Sequence, residues 1–401
     1  MIQPGNCALK LPFFHRKRCR NAALVAVDVR NDGYLLAVLQ GGGEAPSLSF
    51  LTKLPLPESN SGYESDLSAA LAPLIEEQGL AHCPATTVLH RPDFNLVLTE
   101  APSGLEGEEL RTAMQWRVRD LLDFPPEEAV LDVLPIPNVE LPGEGPPLFV
   151  VAARQKTVRQ RILAGREAGL DLQYVDIPDM AHRNLAHLLP EEAAGICLVV
   201  LDAENPLISI TKGGELIFSR QLGLDIHAEF AALAGELGVD AEEACRLRID
   251  YGLEGEPAES EGGQLAGPDP EPEPEGEVLE WGELQLEEEP AVEAPDPMKE
   301  YLTDFAERVA LEVQRSLDFY DSRYRQAAIR TVYLAGEGAR VHGLEDYLSS
   351  ALDLTFHYFN PLDYLAATDD LHEAKDEHAS LVQEGLYTIG AGLRLLDSGE
   401  G

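Results

Sequence analysis

Ten histidines are present, and none falls in the H-x-x-x-H or H-E-x-x-H spacing that sets two imidazoles on one helix face for a metal. His182 and His187 are five residues apart and would point to different sides of a helix. The five cysteines (Cys7, Cys19, Cys83, Cys197 and Cys245) are odd in number and form no C-x-x-C, which argues against a zinc site or a disulfide framework and for a reducing compartment. Neither a G-x-S-x-G elbow nor a Walker A loop is present, and no Rossmann glycine fingerprint follows a strand. Carboxylate pairs such as Glu127-Glu128 and Asp369-Asp370 could do acid–base work. In a chain with 71 acidic residues they read as solvated faces instead. One segment is more specific: Val332-Tyr-Leu-Ala-Gly-Glu-Gly-Ala339 is a buried strand entering a glycine turn, with Gly343-Leu344 and a helix behind it. Its glycines let backbone approach a ligand, or simply make a tight connection. No catalytic residue and no metal site is expected.

The elements that would position such a turn follow from hydrophobic periodicity. Ala22–Asp28 and Tyr34–Leu39 read as a strand–turn–strand hairpin around Val29–Gly33, and Leu67–Gln78 as a helix capped at Gly79. Thr86–His90 and Leu96–Thr99 read as strands. Gly107–Leu122 reads as a helix stopped by Phe124-Pro-Pro126, with strands at Val130–Leu134 and Leu148–Ala153. Lys156–Ala168 is a helix, Leu172–Ile177 a strand and Pro178–Leu189 a helix. The hairpin pattern then returns as a meander over Ile196–Leu201, Ile208–Thr211 and Leu216–Leu222, followed by helices at Asp225–Gly235 and Asp240–Arg248. Met298–Tyr324 reads as a long amphipathic helix. Strands at Thr331–Leu334 and Thr355–Tyr358 flank a helix at Gly343–Leu352, and Leu381–Leu396 is a terminal helix. Two halves that each open with a meander and end in helices indicate an internally duplicated α/β protein.

Charge sets further bounds. The 401 residues carry a formal net charge of −41, a surface that repels phosphate backbones, so nucleic acid is not an expected partner. The longest apolar runs, Leu148–Ala153 and Ile196–Leu201, are far short of the roughly 20 residues a bilayer span needs. No signal peptide is expected either. Between Tyr251 and Pro297 lie 16 acidic residues, 8 prolines and no Lys or Arg, a composition expected to be disordered. Within it Val278-Leu-Glu-Trp-Gly-Glu-Leu-Gln-Leu286 is an apolar island, read as a spacer with partner binding as the alternative. The first 27 residues hold no acid and place Phe13 and Phe14 beside Arg16, Lys17, Arg18 and Arg20. That juxtaposition suits an anionic membrane surface, the alternative being a frayed, solvated terminus.

The block Val313-Gln-Arg-Ser-Leu-Asp-Phe-Tyr320, then Thr331-Val-Tyr-Leu-Ala-Gly336 and Gly343-Leu-Glu-Asp-Tyr-Leu348, resembles the PilM family of type IV pilus assembly proteins. Within that family it is most similar to the branch serving mannose-sensitive haemagglutinin (MSHA) pili. Leu121-Leu-Asp-Phe-Pro125, Glu128–Asp132 and Gly213–Arg220 support the resemblance, which spans most of residues 20–395 outside the acidic stretch. It implies an actin/Hsp70-like fold: an N-terminal segment 1–20, a first half 21–87, an inserted small α+β subdomain 88–170 and a return to the first half at 171–194. The second half would be 195–250 and 298–378, interrupted by the linker 251–297, with 379–401 as a helix packing back on the first half.

The resemblance also implies nucleotide loops, from which this sequence departs. At the first phosphate hairpin Asp28 is kept, but Arg30 stands where the family has glycine, and no Ser, Thr or Lys follows. The second reads Asp202-Ala-Glu204-Asn-Pro206, where Glu204 sets a like charge beside any phosphate and Pro206 removes a donor. The adenosine-side glycines Gly336 and Gly338 are kept around Glu337. The implied protein is a non-catalytic cytoplasmic scaffold, peripheral to the inner membrane and without a cofactor. It would bind the cytoplasmic tail of a PilN-like inner-membrane protein, with other pilus platform proteins as further partners. The alternatives are an active actin-like ATPase using ATP and magnesium to gate the same assembly, or a component of a type II secretion platform. The latter is disfavoured because no transmembrane helix follows Leu396. A metabolic kinase of the same fold fits least, for want of a catalytic Asp in a glycine-rich pocket.

Overall fold

The computed structural model describes residues 23–41, 46–56, 63–137, 139, 145–253, 297–324, 328–367 and 375–394. The basic-aromatic N-terminal segment, with Phe13, Phe14, Arg16, Lys17, Arg18 and Arg20, and most of the acidic stretch lie outside these residues. Among the described residues no helix is long and apolar enough to cross a membrane.

Strands β1 (Ala23–Val29) and β2 (Gly33–Gln40) form the expected antiparallel hairpin, and β3 (Ser47–Pro55) continues the meander. Helix α1 (Tyr63–Glu77) leads into β4 (Pro84–Val88), which lies parallel to β1. A three-stranded antiparallel sheet is inserted next. It comprises β5 (Phe94–Glu100), then α2 (Gly107–Arg117), β6 (Ala129–Pro135) and β7 (Pro147–Arg154), in the order β5-β7-β6. Helix α3 (Gln155–Glu167) returns to pack on α1, and β8 (Asp171–Asp176) joins the first sheet beside β4 before α4 (Pro178–Ala186).

The second half repeats this plan. A meander of β9 (Ile196–Val200), β10 (Leu207–Lys212) and β11 (Glu215–Gln221) is followed by α5 (Ile226–Leu237), α6 (Ala241–Tyr251) and α7 (Pro297–Arg323). Then β12 (Thr331–Ala335), α8 (Leu344–Leu352) and β13 (Thr355–Tyr358) complete a sheet ordered β11-β10-β9-β12-β13. Strand for strand this matches β3-β2-β1-β4-β8, with parallel pairing at the same places. It is the duplicated α/β plan of the actin/Hsp70-like fold. The last elements cross back: β14 (Ala366–Ala367) extends the edge of the first sheet at β3, and α9 (Lys375–Glu384) precedes α10 (Leu386–Leu393).

Alternation along the central strands explains the layers. Val25, Val27, Leu36 and Val38 face α1 and α3, while Ala26, Ala37 and Leu39 face α4 and α10. In the second half Cys197, Val199 and Leu201 face the buried stripe of α7, which includes Leu302, Phe305, Val309 and Val313. Ile196, Leu198 and Val200 turn toward α4 and α10 from the other side. Those two helices are thus the layer between the halves. They touch backbone to backbone: a Cβ on Gly390 would lie 2.5 Å from the Ala181 carbonyl oxygen, so glycine is required there. The terminal helix expected over Leu381–Leu396 is broken at Gly385, where α9 hands over to α10. One expectation fails at a cysteine: Cys83, fully buried beside β4, is disulfide-bonded.

Candidate functional site

The turns that end β1 and β9 meet in the cleft between the halves, and their side chains join across it. Arg30, on the β1–β2 turn, is buried and donates from Nη1 to Asp202 Oδ2 at 2.9 Å, while its Nε lies 4.0 Å from Glu204 Oε1. The backbone N–H of Asn31 donates to Glu204 Oε1 at 2.9 Å. Asp202 also braces its own turn, Oδ1 accepting from the N–H groups of Glu204 at 3.0 Å and Asn205 at 2.8 Å. Burial would lower the Arg30 pKa, but Asp202, Asp28 and Glu204 outweigh it, so the guanidinium stays charged. The two hairpins are therefore bolted together by one cation among carboxylates.

The remaining predicted site residues lie around the same cleft. Gly336 has φ of +89°, and a Cβ there would sit 2.7 Å from the Leu201 carbonyl carbon; one on Gly338 would sit 2.7 Å from Leu201 Cβ. These glycines make room for the end of β9. Gly336 N–H donates to Gln383 Oε1 at 2.7 Å, and the Gln383 amide donates in turn to the Phe359 carbonyl at 3.1 Å, so α9 closes the turn from outside. A cavity of about 560 Å³ opens beside Arg30 and is lined by Asp32, Glu204, Asp225, Glu337 and Glu384. Burial, then the charges of Glu384 and Asp202, push the Glu337 carboxyl above its ordinary pKa. Among the described residues no group of three His, Cys, Asp or Glu side chains could hold a metal ion.

Asp28 is fully buried and faces His90, whose Nε2 lies 2.6 Å from Asp28 Oδ1. Burial alone would lower the His90 pKa, but the Asp28 charge and the hydrogen bond outweigh it, for a net upward shift. For Asp28 burial would raise the pKa; His90, then Arg30 and Arg161, hold it below its usual value. A raised histidine contributes stability that is complete below its unfolded pKa of about 6.5 and is lost as pH climbs through the folded value. His90→Gln is therefore expected to cost about 2–3 kcal/mol at pH 6 and progressively less at alkaline pH. Urea midpoints at pH 6, 7.5 and 9 check this, and a cost independent of pH would remove the charged pair.

Residues 78–258 and 293–395 match the family described as type IV pilus assembly protein PilM. The chain belongs to this family. Among solved structures it is similar to the PilM–PilN type IV pilus biogenesis complex, with a TM-score of 0.65 and 21% identity over 93% of this chain and 98% of that one. It also aligns with the ethanolamine utilization protein EutJ from Carboxydothermus hydrogenoformans, at 12% identity and TM-score 0.46 over 96% of this chain and 92% of that one. MreB5 of Spiroplasma citri bound to ADP aligns at 10% identity and TM-score 0.43, over 92% of this chain and 94% of that one. No curated protein matches the chain.

The turns singled out in the sequence border this PilM-family cleft, but the groups packed around them were not foreseen. His90, Gln383 and Glu384 are distant in sequence from both hairpins and carry no motif. The available signal was Arg30 itself: a cation in a tight turn of so acidic a chain calls for carboxylate partners.

Proposed function

We propose that this PilM-family chain is an MshI-like scaffold of an MSHA-type pilus biogenesis platform whose cleft does not work as an ATPase. The observation that carries this is the Arg30–Asp202 ion pair with the Asn31–Glu204 hydrogen bond, set where phosphate hairpins would leave room for an anion. The residues present do not fit a magnesium nucleotide. Arg30 is already neutralised by Asp202, five carboxylates line the adjoining cavity, and the Gly336 and Gly338 cradle is filled by Leu201. The chain would act by binding, receiving on its inserted subdomain the cytoplasmic tail of a PilN-like inner-membrane protein. Likeness to a PilM–PilN complex over nearly the whole chain supports that partner. Phe13, Phe14, Arg16, Lys17, Arg18 and Arg20 would add affinity for the anionic face of the membrane.

Calorimetric titration of the full chain with Mg-ATP, then with a synthetic PilN-like tail peptide, tests both parts. The expected result is peptide binding with no heat from ATP. Micromolar ATP affinity would overturn the scaffold reading in favour of a gated ATPase, and absence of peptide binding would overturn the assigned partner.

A further inference from the structure

A second cavity, of about 440 Å³, lies away from the cleft, where the inserted subdomain meets the second half. Leu98 of β5 and Phe149 of β7 form one wall; Phe218 of β11 and Phe319 of α7 form the other. The Phe319 ring is 44% exposed although it packs 6.0 Å from Phe218, centroid to centroid. The rim is basic. Arg220 donates to Glu312 at 2.5 Å and Arg315 shares the same carboxylate at 3.0 Å, so two cations divide one anion. Arg323 lies over the Phe319 ring at 5.8 Å, and Arg117 borders the adjoining pocket with Glu100. Among the described residues neither Arg117 nor Arg323 forms an ion pair, so both remain open to an acidic partner.

We propose that this groove is a docking site for the chain's own segment Val278–Leu286. Charge and apolar character both select it. The segment offers Val278, Leu279, Trp281, Leu284 and Leu286 to an aromatic floor, and Glu280, Glu283 and the following Glu287-Glu288-Glu289 to the arginine rim. Chain length permits it in cis. Phe319 lies about 33 Å along α7 from its start at Pro297, and the residues between Leu286 and Pro297 span up to about 36 Å when extended. The groove's occupant does not depend on whether the chain serves a pilus.

Trp116, more than half exposed, and Trp281 are the two tryptophans, so Trp116→Phe in the full chain leaves Trp281 as the sole reporter. Its emission is expected to be blue-shifted and its acrylamide quenching constant at least threefold below that of a free 276–289 peptide. Arg323→Glu or 1 M salt should restore the free-peptide values. Phe319→Ala should do the same, with circular dichroism confirming the fold. In a chain whose residues 276–289 are replaced by Gly/Ser, the added peptide should bind at least tenfold more tightly than to the same chain carrying Arg315→Glu and Arg323→Glu. Trp281 as accessible in the full chain as in the free peptide would overturn the proposal. So would protection that grows with protein concentration, which would make the occupant a second copy. A PilN-like tail peptide that fills the groove while Trp281 stays exposed would also overturn it.

Discussion

Replacing Arg30 by methionine is expected to cost about 3–5 kcal/mol of stability, because it strands a buried charge. Asp202 is 2% exposed and would keep only its two backbone donors, while Glu204 would lose the cation that offsets its approach to the first hairpin. The companion variant decides the cause. Arg30→Met with Asp202→Asn removes both charges and leaves the asparagine oxygen to accept from the Glu204 and Asn205 amides. It should recover most of the loss, since replacing a whole buried pair is far cheaper than breaking it. Urea unfolding of the wild type, both single variants and the double variant gives the coupling energy. A coupling near zero would mean that the hairpins are held together by something other than this ion pair.

The second large effect is expected at the other end of the chain. Arg394 donates from Nε to Asp176 Oδ2 at 2.7 Å and from Nη2 to Oδ1 at 3.0 Å, tying the end of α10 to β8. Burial nevertheless leaves the Asp176 carboxyl above its ordinary pKa despite that arginine. Arg394→Met drives it higher still. An acid whose folded pKa exceeds its unfolded one costs stability as pH rises above the unfolded value, because the charge must be held buried or a proton taken up. The variant should therefore be about 3–5 kcal/mol less stable at pH 8 and much closer to wild type at pH 5. Equal losses at the two pH values would show that the arginine contributes packing and not charge.

Much of the duplicated plan was legible because its central strands bury both faces and read as apolar runs. Ile196–Val200 and Thr331–Ala335 are examples. Strand β3 was not: Ser47–Pro55 is a strand near the sheet edge with mostly half-exposed side chains, and its residues take strand form through pairing with β2. At the site, the resemblance singled out Arg30 and Glu204 as departures from the family's phosphate hairpins. It could not reveal that the Arg30 turn binds Asp202 and Glu204 across the halves, since that depends on the close approach of turns more than 170 residues apart. Gly336 and Gly338 pose a related difficulty. A glycine kept for a nucleotide and one kept for Leu201 are identical in sequence.

The order in which this chain is made matters because of α10. Gly392 lies against Leu39 so closely that a Cβ would come within 2.2 Å of its Cδ1, and Leu39 leaves the ribosome about 350 residues earlier. At roughly 5–20 residues per second the first half waits about 20–70 s before its last layer is synthesised. During that interval Ala26, Ala37 and Leu39 have no α10 to cover them, although α4 and the second sheet can already have formed. Synthesis of α10 is thus the step that completes the amino-terminal core, and a ribosome stalled short of Leu386 would release a chain with an open hydrophobic face, a substrate for chaperones and proteases.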